Sequence, residues 1–117
     1  MSAGFHHFII EQGATFQKVL TLKDSAGSVV NLTGYTSAQM DLRTDADQSS
    51  AQLSLTTGNS RIALGASAGT VTLTISASDT ASLTATDGVY DLEIVDANSN
   101  VFRIIEGTYT VRRGISR

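Results

Sequence analysis

Apolar and polar residues alternate along this chain in short runs. The clearest is TVTLTIS (70–76), which places Val71, Leu73 and Ile75 on one face and Thr70, Thr72 and Thr74 on the other. A period of two is the mark of a strand with one buried side. The same rule predicts a strand at 16–23, where Phe16, Leu20 and Leu22 share a face that Lys18 interrupts, so Lys18 must sit near a rim. Further strands are expected at 29–32, at 37–43 (Ala38, Met40 and Leu42 inward), at 52–56 (Leu53 and Leu55) and at 61–64 (Ile62 and Leu64). The run VYDLEIV, after Asp87 and Gly88, turns Tyr90, Leu92 and Ile94 inward. The closing run VFRIIEGTYTV (101–111) changes face between Ile105 and Gly107, which predicts a bulge or a crossing between two sheets.

Between the runs lie clusters of turn-forming residues: KDSAG (23–27), DADQSS (45–50), TGNS (57–60), GASAG (65–69) and DANSN (96–100). Two hairpins, TLKDSAGSVV and EIVDANSNVF, share the same turn pattern without a repeat at a fixed period. One segment departs from alternation. Ser78 to Leu83 opens with capping residues and predicts a single helical turn near 78–83. The motif that follows, D-G-x-Y-x-L (87–92), resembles the tyrosine corner of immunoglobulin-like sandwiches, with Leu92 where antibody domains carry a cysteine. The expected architecture is an all-β, immunoglobulin-like sandwich of two sheets and about eight or nine short strands. Residues 11–112 form its single domain, 1–10 an arm or first strand, and 113–117 a tail.

Composition narrows the function. With 117 residues the chain holds one domain, and it contains no cysteine, so neither a disulfide framework nor a thiolate zinc site is available. A net charge of −3 argues against nucleic acid as partner, because the one basic cluster is Arg112, Arg113 and Arg117 at the C-terminus. No apolar run approaches the ~20 residues that a membrane-spanning helix needs, and the first residues lack the basic start of a signal peptide. No membrane partner is expected.

Five places in the sequence could carry chemistry. Gly65-Ala66-Ser67-Ala68-Gly69 matches the G-x-S-x-G nucleophile elbow, but it lies between two strands and both histidines precede it, so a hairpin loop is expected. Asp96-Ala97-Asn98-Ser99-Asn100 opens like a calcium loop, yet Val101 stands where the sharp turn needs glycine and Gly107 where a bidentate glutamate belongs, so a polar turn is expected. Asp45 and Asp47 are read as solvated loop residues. His6 and His7 are adjacent, point in different directions and have no third ligand in view. Asn31-Leu32-Thr33 fits a glycosylation sequon, but no secretory route is evident. No acid, base and nucleophile assemble, so neither enzymatic activity nor a cofactor is expected.

Several segments in order, IIEQGATF (9–16), LTLKDSAGSVVNLTGYTSAQMDLR (20–43) and LSLTT to TYTV (53–111), resemble a family of small immunoglobulin-like virion proteins of tailed bacteriophages. The shared features are Gln12-Gly13-Ala14-Thr15-Phe16, Asn31-Leu32-Thr33-Gly34-Tyr35, Gly88-Val89-Tyr90-Asp91-Leu92 and Glu106-Gly107-Thr108. Where the family has Asp, this chain has Asn31, and both suit a turn that ends a strand. The resemblance implies a virion structural component: a tail- or neck-associated adaptor or fibre-attachment module, made in the bacterial cytoplasm and held in symmetric multiple copies beside other virion proteins. Capsid decoration and carbohydrate binding during adsorption are the alternatives; the second is disfavoured by the scarcity of aromatic residues outside the core. Because both chain ends fall outside the clean alternation, Phe5, His6, His7 and Phe8 and, at the other end, Arg112, Arg113 and Arg117 are the expected partner contacts. On this reading, removal of residues 1–8 leaves a folded domain.

Overall fold

In the computed structural model, which describes residues 4–114 apart from 46, 48 and 49, the alternating runs become the strands of two packed sheets. Eight strands form among the described residues: β1 (Gly4–Glu11), β2 (Phe16–Thr21), β3 (Tyr35–Arg43), β4 (Leu53–Thr56), β5 (Ile62–Leu64), β6 (Thr70–Ile75), β7 (Asp87–Asp96) and β8 (Val101–Arg112). A five-stranded sheet runs in the order β1-β8-β7-β3-β4 and a three-stranded sheet in the order β2-β6-β5. All pairings are antiparallel except β1 with β8. The neighbours β8-β7-β3-β4 and β2-β6-β5 have the connectivity of a variable-type immunoglobulin sandwich, with β1 added in parallel beside the last strand.

The core lies between the sheets and is built by the period of two. From β3 come Ala38, Met40 and Leu42, from β7 Tyr90, Leu92 and Ile94, and from β6 Val71, Leu73 and Ile75, all buried. Each buried Val, Leu, Ile or Met side chain among them contributes on the order of 1.5–3 kcal/mol by leaving water. Leu92 occupies the place of the missing cysteine and is sealed off from solvent. In β8 the change of face is a bulge: Leu92 pairs with Ile105 and Glu93 with Arg103, so Ile104 is the extra residue, and both isoleucines are buried. The bend therefore sits three residues before Gly107.

The segment 29–32 does not form the expected strand. Val29 makes one isolated bridge with Lys23 and is exposed, and the chain then turns because the Asn31 carboxamide oxygen accepts from both the backbone N–H and the hydroxyl of Thr33, at 2.9 and 2.6 Å. The similar hairpins do share a mechanism. Asp24 Oδ1 accepts from the N–H groups of Ala26 and Ser28, and Asp96 Oδ1 from those of Asn98 and Asn100.

The helical turn is α1 (Ala77–Ala81), one residue earlier than its sequence signal, and Ser76 caps it by accepting the Asp79 N–H at 3.2 Å. It carries the chain from the small sheet to the large one. Its buried Thr80 hydroxyl donates to the Ala14 carbonyl at 2.9 Å and accepts from the Gly13 N–H at 3.0 Å, which locks the β1–β2 turn to α1. Asp79 holds Arg61 at 2.8 Å, and Arg61 reaches on to the Ser54 carbonyl. The Arg61 hydrogen bond is the main reason the Asp79 carboxyl lies below its ordinary value. A folded value below the unfolded one means that the pair stabilises the fold above the unfolded value and that this gain fades as pH falls through the folded value. Asp79→Asn should accordingly lower the thermal midpoint at neutral pH and flatten its decline on acidification. An unchanged acid limb in a melting series would show that the pair contributes nothing.

Candidate functional site

Strand β1 and the outer face of the five-stranded sheet carry the chemistry available to a partner. Along β1 the side chains of Phe5, His7 and Ile9 face outwards and those of His6, Phe8 and Ile10 face the core. Phe5 and Ile9 are 73% and 53% exposed, large values for apolar residues. Phe8 is the correction to the expected contact set: it is 3% exposed, lies 4.9 Å from the Tyr90 ring and meets Phe16 edge-on at 5.8 Å. It is a core residue because residues 4–11 form a full strand in register with β8, the strand alternative of the two that the sequence leaves open. His6 is half-buried, its ring tilted against that of Phe8 with centroids 4.8 Å apart.

Tyr90 explains how β1 is fastened. Its hydroxyl donates to the His6 carbonyl at 2.6 Å, across 84 residues of sequence, where a tyrosine corner would bond backbone a few residues upstream. The D-G-x-Y-x-L motif therefore serves a different contact here. Burial raises the Tyr90 pKa well above that of a free tyrosine, so the hydroxyl stays protonated and remains a donor. His7, on the outer side, lies over β8, 2.6 Å from Thr108 Oγ1 and 3.2 Å from Thr110 Oγ1, and Thr110 in turn donates to Asp87.

The two ends that the sequence presents as separate contacts lie side by side. Glu11 pairs in register with Arg112 at the parallel seam, and their side chains approach to 3.5 Å. Arg113 follows, exposed; Arg117 lies outside the described residues.

One feature escapes sequence reasoning. Asp41, Asp91 and Glu106 are register partners across β3, β7 and β8, and Phe5 continues the row on β1. Like charges directly opposite are unfavourable, and this row is offset by arginines on either side, Arg43 at 3.1 Å from Asp41 and Arg103 at 3.0 Å from Asp91. Together these residues line an open concavity of about 630 Å³. Asp41 and Arg43 on β3, and Asp91 and Glu93 on β7, are spaced by two in the sequence, but only the register shows that the acidic row meets across the sheet.

The remaining motifs resolve into turns. Ser67 lies in a 3-10 turn, Ala66–Ala68, that joins β5 to β6, so the G-x-S-x-G match is a hairpin. The Asp96 carboxylate is engaged by its own loop, and those backbone hydrogen bonds, Asn100 foremost, hold its pKa down. Asp45 accepts the Asp47 N–H in a similar local turn. Compared with protein-family models and with curated proteins, the chain matches none of them, so its two-sheet sandwich and the exposed apolar face of β1 carry the functional reading.

Proposed function

We propose that the protein is a non-enzymatic structural module of a tailed-phage virion, an adaptor of the tail or neck held in several copies and in contact with other virion proteins. The observation that carries this reading is β1: a strand whose inner side chains anchor it in the core while its outer side chains, Phe5 and Ile9, stand in solvent. Apolar surface of this kind on a sheet edge marks a place where chains meet. The ordered resemblance of the sequence to small phage virion proteins supplies the setting, and the adjacent Arg112 and Arg113 add a charged rim.

The test is the copy number of the protein in purified particles, by quantitative mass spectrometry against the portal protein. On the order of ten copies per particle, as a ring on the tail axis would hold, is the expected result. Copies on the order of hundreds would indicate decoration of the capsid instead. Absence from particles would overturn the proposal.

A further inference from the structure

Among the described residues four strands lie at sheet edges: β1 and β4 in the large sheet, β2 and β5 in the small one. Exposed edges invite pairing with other chains, and proteins blunt them with short strands, inward-pointing charges, proline or bulges. Three of the four are blunted here. β4 has four residues and β5 has three. β2 places Lys18 between Phe16 and Leu20 on its inward side. β1 has none of these devices: it is eight residues long, pairs with β8 without a register shift, contains no lysine, arginine, aspartate or proline, and keeps its one glutamate for the last position. Beside it an open groove of about 400 Å³ runs between β1 and β2.

We propose that β1 is the pairing edge of a homodimer, in which a second copy lays its own β1 antiparallel alongside, across a two-fold axis at His7. This rests on the reading above, in which copies of the chain contact one another, and names the contact. The occupant follows from the pattern of β1 itself. A two-fold normal to the sheet keeps both outer faces on one side, so odd-numbered residues meet odd-numbered ones. With His7 on the axis, Phe5 of one protomer lies opposite Ile9 of its partner, twice, and the exposed apolar side chains cover each other. Inside, His6 meets the partner's Phe8, which extends a contact already present within each chain. A shift to Phe8 on the axis would set Phe5 against Glu11, an apolar ring against a charge. At the axis each His7 ring is drawn over β8 by Thr108 and Thr110. The result is a continuous ten-stranded sheet, two copies of the five-stranded one.

The test uses the purified full chain. Analytical ultracentrifugation over a concentration series should show a species of twice the 12.3 kDa chain mass. Ile9→Lys and Phe5→Lys, both at exposed positions, should lose that species while keeping the circular dichroism spectrum and a cooperative thermal transition, with the midpoint lowered only by the stabilisation the dimer supplied; Val19→Lys, on β2, should keep the dimer. Because the chain has no cysteine, single substitutions report the register. His7→Cys should form an intermolecular disulfide on mild oxidation. Ile9→Cys should not, since the two copies of that position would stand roughly 13 Å apart along the strands. A parent protein that stays monomeric, an Ile9→Lys variant that still dimerises, or cross-linking through position 9 rather than 7 would overturn the proposal. These readouts need no particles, so dimerisation and virion incorporation fail or succeed separately.

Discussion

Removal of residues 1–10 should abolish the folded state. The sequence presents this segment as an arm or first strand whose first eight residues can be removed from a folded domain, but β1 contributes Phe8 and Ile10, 3% and 1% exposed, to the core. Loss of a buried Phe costs about 3–5 kcal/mol and of a buried Ile about 2–5 kcal/mol. Their combined cost is comparable to the whole stability of a domain, about 5–15 kcal/mol. The deletion would also leave the Tyr90 hydroxyl without the His6 carbonyl, inside a newly opened core, and free the edge of β8 along eight register pairs. The expected result is a chain without a cooperative thermal transition, recovered as aggregate or as an expanded species. A truncated protein that melts within a few degrees of the parent would show that β1 is dispensable. Where truncation unfolds the chain, loss of particle incorporation says nothing about attachment, and for that question Phe5→Lys is the better variant because it leaves the core intact.

The property that leaves residues 1–10 undecided between arm and strand in the sequence is the one that makes β1 a pairing edge. Strands β3, β6 and β7 reveal themselves because one face is polar, so alternation marks both the strand and its inner side. In GFHHFIIE the outward positions, Phe5 and Ile9, are as apolar as the inward ones, Phe8 and Ile10, and the period of two disappears. A strand meant to be covered on both sides gives no alternating signal. In the segment 29–32 the reverse holds: its apolar run predicts a strand, and the local hydrogen bonds of Asn31 turn it into a loop.

Long-range partners were hidden for a different reason. Tyr90 was recognisable as a buried tyrosine with a motif around it, but its acceptor, His6, is fixed only once β1 lies parallel to β8. The row of Asp41, Asp91 and Glu106 likewise depends on register across three strands, including the bulge at Ile104, which moves every later residue of β8 by one place. Without that bulge Glu106 would leave the outer face and the concavity would lose one of its carboxylates. Period and turn chemistry are local; register is set by the packing of whole sheets.

Gly107→Ala tests the seam on which both the fold and the proposed edge depend. A Cβ at this position would stand 2.1 Å from the His6 carbonyl oxygen and 3.0 Å from its carbon, both backbone atoms that cannot rotate aside. The clash can be relieved only by moving β1 away from β8, which lengthens the Tyr90 hydrogen bond and loosens Phe8 and Ile10 together. Overpacking of this kind costs typically about 1–3 kcal/mol and more where backbone must shift; with three contacts affected at once, a loss of about 3 kcal/mol or more is expected. Chemical denaturation measures the total. Hydrogen exchange locates it: amides of β1 and of β8 near Thr108 should lose protection while those of β6 and β7 keep theirs. The same displacement bends the outer edge of β1, so the variant should also dimerise more weakly than Val19→Lys, even where both remain folded. Uniform loss of protection across both sheets would mean that β1 is not a separate unit but is cooperative with the whole core. Unchanged stability would mean that β1 can slide outward at no cost, which the buried Phe8 and Ile10 argue against.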